Sequence, residues 1–191
     1  MYTKTQAGYS IIEVMVAITV LLLAIVGPLT IAAKGLQSSY YARDQVTAYM
    51  LAQEGIEGVT AYRNEQLLAA FNAGNLSNTW NWASETGTFA DCYETEGCNF
   101  DFTSTDITAS LVACDPVSNC LLDYNSSSIP ARYHVNNGTA TDDSPFTRRV
   151  YLTTVNAEEI IVRSEVTWLP GIFSTQQTVT LTTSLFNIYG T

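Results

Sequence analysis

One histidine, eight lysines and arginines, and no charged residue between Val14 and Ala33: these scarcities bound the chain before any motif is read. A lone histidine, His134, leaves no Ser-His-Asp spacing, and neither an HExxH helix nor a Gly-rich phosphate loop is present. The chain is therefore not expected to be an enzyme, and no cofactor or metal is expected. Basic residues are outnumbered by eighteen Asp and Glu, giving a formal charge of −10. From Lys34 onward seven positive residues face seventeen negative ones. An acidic surface repels phosphate backbones, which argues against direct nucleic-acid binding. Asp142 and Asp143, beside Thr139 and Thr141, lack the D-x-D-x-D-G pattern of a calcium loop and read as solvated charge.

What the sequence does have is an oily run. Val14 to Ala33 in helical form spans about 30 Å, the thickness of a bilayer's hydrocarbon core. The alternative, a cleaved secretory signal, has a shorter apolar region of about 7–15 residues. Lys4 on one side is matched by Lys34 and Arg43 on the other, so the positive-inside rule does not fix the orientation. Just inside the run stands one carboxylate, Glu13. An unpaired carboxylate costs about 2.5–3.5 kcal/mol at mid-membrane even on lenient scales. The bland reading places Glu13 at the interface, snorkelling or protonated; the functional one seeks a counterion for it.

No proline interrupts residues 29–71, and helical spacing persists beyond the oily run. Leu36, Tyr40, Val46, Met50, Ile56, Val59 and Leu67 mark an expected apolar face, with polar residues between them. One helix is expected from about Tyr9 to Phe71, with a kink at Gly27 and Pro28, where proline removes a backbone hydrogen bond. Gly55 and Gly58 weaken a helix by about 1 kcal/mol each relative to alanine, so a bend or local looseness is expected near them.

"GYSIIEV" followed by the apolar run resembles the signal of type IV prepilins and type II secretion pseudopilins. The resemblance implies a leader ending at Gly8, cleavage by prepilin peptidase between Gly8 and Tyr9, methylation of the new N-terminus, and Glu13 as fifth residue of the mature chain. Glu13 then has a candidate counterion, the α-amine of the preceding subunit, and a pair of that kind would set subunit register during assembly. Either charge alone away from water is strongly unfavourable.

Residues 72–145 change character. "NAGNLSNTWNWASETGTFAD" reads as a loop with turns, its Trp80 and Trp82 serving to pack it onto the domain rather than as a ligand platform. Four cysteines follow at two equal spacings, Cys92 with Cys98 and Cys114 with Cys120. Four cysteines allow three connectivities. The two local loops are favoured because each encloses turn-forming residues, and the spacing is long for a zinc site. Reducing conditions are expected to loosen this region before the helix-sheet core.

The last third, 146–191, reads as antiparallel sheet. Strands are expected over 146–155, 158–169 and 174–188, with Val150, Leu152 and Thr154 on one face and Arg149, Tyr151 and Thr153 on the other. Shorter strands are expected at Asn99–Thr103, Leu121–Tyr124 and Ala131–Val135. The fold class is α+β, the amphipathic half of the helix covering the sheet. In segments, this is a leader at 1–8, a membrane or filament-core half at 9–33, an amphipathic half at 34–71, the cysteine-bearing region at 72–145 and the sheet at 146–191.

"LAQEGIEGVTAYRN" and the strand sequences most resemble minor pilins and minor pseudopilins. The implied protein is a single-pass inner-membrane precursor with an extracytoplasmic C-terminal domain, later part of a cell-surface or periplasmic filament. Implied partners are prepilin peptidase, other pilin or pseudopilin subunits, an inner-membrane assembly platform and, before assembly, the lipid bilayer. The alternative is a membrane-anchored extracytoplasmic binding or adhesion module that does not polymerise.

Overall fold

The computed structural model describes residues 8, 10–76, 80–101, 107–115, 120–125, 132–135, 143–170 and 175–188. A single helix, α1 (Ile11–Asn72), runs through both of the compact units into which the chain divides, Met1–Arg43 and Asp44–Thr191.

In the first unit α1 is the whole described structure beyond Gly8 and Ser10, and its apolar side chains are exposed from Ile11 to Ile31. The helix continues through Gly27 and Pro28, although proline leaves the carbonyl four residues earlier without its usual donor. Thr19 and Thr30 bond their hydroxyls back to the carbonyls of Val16 (2.8 Å) and Val26 (2.7 Å), which satisfies the polar groups of an otherwise apolar segment.

In the second unit the helix ends on a Schellman arrangement. Gly74 takes a positive φ of 66°, its N–H donates to Phe71 and the N–H of Asn75 donates to Ala70. The buried face consists of Ala48, Leu51, Ala52, Gly55, Gly58, Val59 and Tyr62. This corrects the expected face: Leu36 (62%), Tyr40 (53%), Val46 (58%) and Met50 (62%) are exposed, while Val59 is buried and Ile56 and Leu67 are half-buried. At about 100° per residue, Val46 and Met50 lie roughly half a turn from the buried stripe. That stripe is made of small residues, which bring the helix backbone close to the sheet. A Cβ on Gly55 would stand 2.5 Å from Ser164 Oγ and 3.1 Å from Val150 Cγ2. The two glycines expected to loosen the helix instead lie in its contact face.

Among the described residues seven strands form one antiparallel sheet. They are β1 (Cys98–Asn99), β2 (Val112–Ala113), β3 (Leu121–Asn125), β4 (Arg132–Val135), β5 (Asp143–Asn156), β6 (Glu159–Trp168) and β7 (Gln177–Phe186). β5 is central: β6 and then β7 extend one edge, while β1 and β3 share the other, carrying β2 and β4 outward. The three long strands fall where alternation predicts them. The short ones differ at the margins: of the strand expected at Asn99–Thr103 the described residues show Cys98–Asn99, residues 102 and 103 lying outside them, and β2 was not expected. The expected starts at Ala131 and residue 174 lie outside the described residues, as do Tyr9, Thr139, Thr141 and Asp142.

β6 alternates strictly, with Ile160, Val162, Ser164, Val166 and Trp168 buried. Val150 and Leu152 of β5 join them, whereas Thr154, expected on the same face, is exposed near the strand's end. Arg149, Tyr151 and Thr153 lie on the other face, the first two half-buried. Against Val59 and Tyr62 the sheet and the 80–100 segment complete a core of Trp82, Phe89, Phe100, Val150, Val162 and Leu185, among others. Trp82 packs the loop as expected, at 5% exposure, and Trp80 rests half-buried against it.

Candidate functional site

Helix α1 opens at Ser10, whose carbonyl accepts from the N–H groups of Glu13 (3.0 Å) and Val14 (3.2 Å). Glu13 thus occupies the first turn, where the positive end of the helix dipole favours an anion. The surface around it is apolar: Val14, Ala17, Ile18 and Leu21 flank the carboxylate, and all are exposed. The next cationic side chain along the helix is Lys34, about 30 Å away at the helical rise. The helix itself therefore offers Glu13 no counterion within reach. Gly8 is described and exposed, with open space around its Cα; Tyr9 is outside the described residues. α1 is long and apolar enough to cross a membrane, and the apolar window is wholly exposed.

The cysteines form two disulfides, Cys92–Cys98 and Cys114–Cys120, with Cα separations of 4.5 and 5.3 Å. β1 and β2 join them: Cys98 pairs with Ala113, and the N–H of Cys114 donates to the carbonyl of Gly97 at 2.9 Å. All four cysteines are buried. His134 faces Asp123 across β3 and β4 at 4.0 Å.

The sequence reading missed a buried charge. Arg148 is 2% exposed, on the same face of β5 as Val150. Its Nε donates to Asn99 Oδ1 (2.8 Å), one terminal nitrogen donates to the Phe100 carbonyl, and the other reaches the Leu51 carbonyl (3.5 Å) and Glu54 Oε2 (3.1 Å). One guanidinium thus joins α1, β1 and β5. Burial lowers the pKa of Arg148 from the usual arginine value, opposed by Glu54 and Asp101. Burial likewise raises the Glu54 carboxyl above the usual glutamate value, with Asp101 and Glu57 adding to the rise and Arg148 opposing it. For Arg148 the direction says that desolvation outweighs attraction to the neighbouring carboxylates, as is common for buried ion pairs. The outward neighbour, Arg149, pairs with the carboxylate and carbonyl of Glu96. Alternation in "FTRRV" carried a usable signal, since it places Phe146, Arg148 and Val150 on one face.

A long N-terminal helix, apolar and exposed at its start, followed by an antiparallel sheet, is an α+β architecture of the pilin-like class. Residues 3–27 match the family described as the prokaryotic N-terminal methylation motif, the signature of type IV pilins and pseudopilins. Comparison with curated proteins and with solved structures returns no match. The motif spans 25 of the chain's 191 residues and points to a processed, structural subunit similar to type IV pilins and pseudopilins. It implies processing by prepilin peptidase and assembly with other pilin subunits, and the apolar helix is compatible with membrane anchoring.

Proposed function

We propose that the chain is a minor subunit of a type IV pilus or a type II secretion pseudopilus. It enters the inner membrane as a single-span precursor with its C-terminal domain outside the cytoplasm, and is cut between Gly8 and Tyr9. An assembly platform then transfers it to the filament. The cut exposes an α-amine, positive near neutral pH. Glu13 of one subunit pairs with that amine on the preceding one, setting the register of stacked apolar helices, while Gly27 and Pro28 let the helix bend as it packs. The minor role is supported by the resemblance of "LAQEGIEGVTAYRN" and the strand sequences to minor subunits.

The observation that carries this reading is a methylation motif whose carboxylate stands on an exposed apolar helix with no cation in reach along that helix. Mass spectrometry of the mature N-terminus tests the processing: a methylated Tyr9 is expected, and an intact Met1 or a cut near Ala33 would overturn it. Glu13→Ala is expected to leave membrane insertion intact and to abolish incorporation into filaments. Normal incorporation of that variant would remove the pairing from the account.

A further inference from the structure

Two clefts flank the loop that follows α1, and neither is used by assembly through the N-terminal helix. The first, about 620 Å³, lies between the helix end and the loop; Gln66, Asn81, Trp82, Ser84, Thr86 and Thr88 contribute to its lining. The second, about 380 Å³, lies on the loop's other side, where Trp80, Glu85 and Asn156 join the shared residues Asn81 and Ser84. Both volumes fall within the range of small-molecule sites, about 300–1,000 Å³.

Their chemistry is unusual for this molecule. In a chain with eighteen acidic and eight basic residues, the first cleft carries no acidic or basic side chain among the described residues, and the second carries only Glu85. Among those residues a phosphate, sulfate or carboxylate ligand would find no cation in either cleft. What lines them instead is hydroxyl and carboxamide, groups that each both donate and accept hydrogen bonds. The carboxamides of Gln66 and Asn81 make no hydrogen bond among the described residues, and Asn81 is exposed. Beside them is an aromatic surface. Trp80 is half-buried and meets Trp82 at 5.4 Å between ring centroids, and Trp82 in turn is held edge-on by Tyr62 and Phe89 at 5.9 Å each.

The loop is also held in shape before any ligand arrives. Tyr62 Oη and Thr88 Oγ1 are 3.1 Å apart, and Ser84 Oγ donates to the Asn81 carbonyl at 2.8 Å. A Cβ on Gly87 would collide with the carbonyl oxygens of Asn81 and Trp82, so only glycine lets the chain double back so tightly there. Preorganisation of this kind lowers the ordering cost of binding.

We infer that the 80–88 loop is a carbohydrate-binding site for a short stretch of uncharged glycan. A pyranose ring presents hydroxyls that donate and accept, together with an apolar C–H face suited to an aromatic ring such as Trp80. Two clefts sharing Asn81 and Ser84 suit neighbouring sugar units of one chain better than a single monosaccharide. The site is independent of processing at Gly8, so its success or failure does not bear on filament assembly.

The test uses the full chain in a zwitterionic detergent without a sugar headgroup, which would compete for the site. Chitotriose and cellotriose are titrated while tryptophan fluorescence is followed, and retention on insoluble chitin and cellulose is measured in parallel. Saturable quenching by a neutral trisaccharide, or retention on a neutral polymer, is expected, and the pattern distinguishes a free oligosaccharide from an internal stretch of polymer. Trp80→Ala is expected to weaken binding by about tenfold or more, in keeping with the weight of buried aromatics at binding sites. Because Trp80 also touches the core, the double variant Gln66→Ala/Asn81→Ala, which alters two polar side chains outside the core, should show a comparable loss with unchanged thermal unfolding. No response to any of the neutral glycans overturns the proposal, as does binding that neither variant weakens. So does tighter binding of a sulfated heparin oligosaccharide than of the neutral ones.

Discussion

The two halves of α1 share one backbone and differ in what their surfaces meet. From Ile11 to Ile31 large apolar side chains lie exposed all round the helix within its own unit, among the described residues. From Ala48 to Tyr62 the buried stripe is narrow, mostly small, and fitted to the sheet. The first half needs an apolar environment that it does not supply itself, a bilayer or other helices. The second carries its partner in the same chain. Hydrophobic content alone therefore misleads about packing: the oilier half is the exposed one, and alanine and glycine make the close contact in the other.

The largest expected break in this contrast is at Arg148, the charge sealed beneath the second half. Arg148→Met should cost about 3–5 kcal/mol, the usual penalty for removing one member of a buried, hydrogen-bonded pair. Asn99 Oδ1 and the Phe100 carbonyl would each lose a charged donor, Asn99 Oδ1 keeping the Phe100 N–H, and Glu54 would lose the cation beside it. A large fall in the urea midpoint of the solubilised chain is the expected reading; a midpoint unchanged from wild type would show that the cluster is energetically neutral.

Glycine-to-alanine substitutions sharpen the comparison, because the same change should act with opposite sign on the buried stripe and outside it. Gly55→Ala drives a methyl against Ser164 and Val150 and is expected to destabilise by about 1–3 kcal/mol before the helix-propensity gain is counted. Gly35→Ala meets nothing within 4 Å and should stabilise the helix by up to about 1 kcal/mol. Helix content and unfolding midpoints of the two variants, measured side by side, check the pair. Equal effects at the two positions would mean that helix and sheet do not approach as closely at Gly55.

The smallest effect concerns pH. The folded state holds the Glu54 proton to higher pH than the unfolded chain, whose glutamates titrate near 4.5. The stability this group contributes is thus fully present below that ordinary value and is lost as the pH rises through its raised folded pKa. Relative to Glu54→Gln, the wild type should become less stable between mildly acid and neutral pH. The opposite slope in paired unfolding curves would mean that attraction to Arg148 outweighs burial.

How much of this was readable in advance follows from what each pattern encodes. The span and the three long strands were legible because length and period-two alternation mark them directly. The helix face was not. Large apolar side chains mark Leu36, Val46 and Met50, whereas the sheet receives Ala48, Ala52, Gly55 and Gly58, whose value lies in close approach rather than hydrophobicity. β2 is two residues long, too short to show a period. Arg148 was passed over because an arginine in a strand is ordinarily taken to face water, even though its position in the alternation pointed inward. At the N-terminus, the methylation motif over residues 3–27 was legible as a linear pattern, which needs no tertiary structure.

The guanidinium of Arg148 also bears on how the domain comes to be folded. Its acceptors arrive from two separate parts of the chain, α1 and the Asn99–Phe100 segment, and meet an arginine carried by a third, β5, so any partly assembled form lacking one of them leaves a cation dehydrated without full compensation. Such forms are penalised, and the domain is expected to close in a single cooperative step, with no long-lived state in which the sheet is complete while α1 is still undocked.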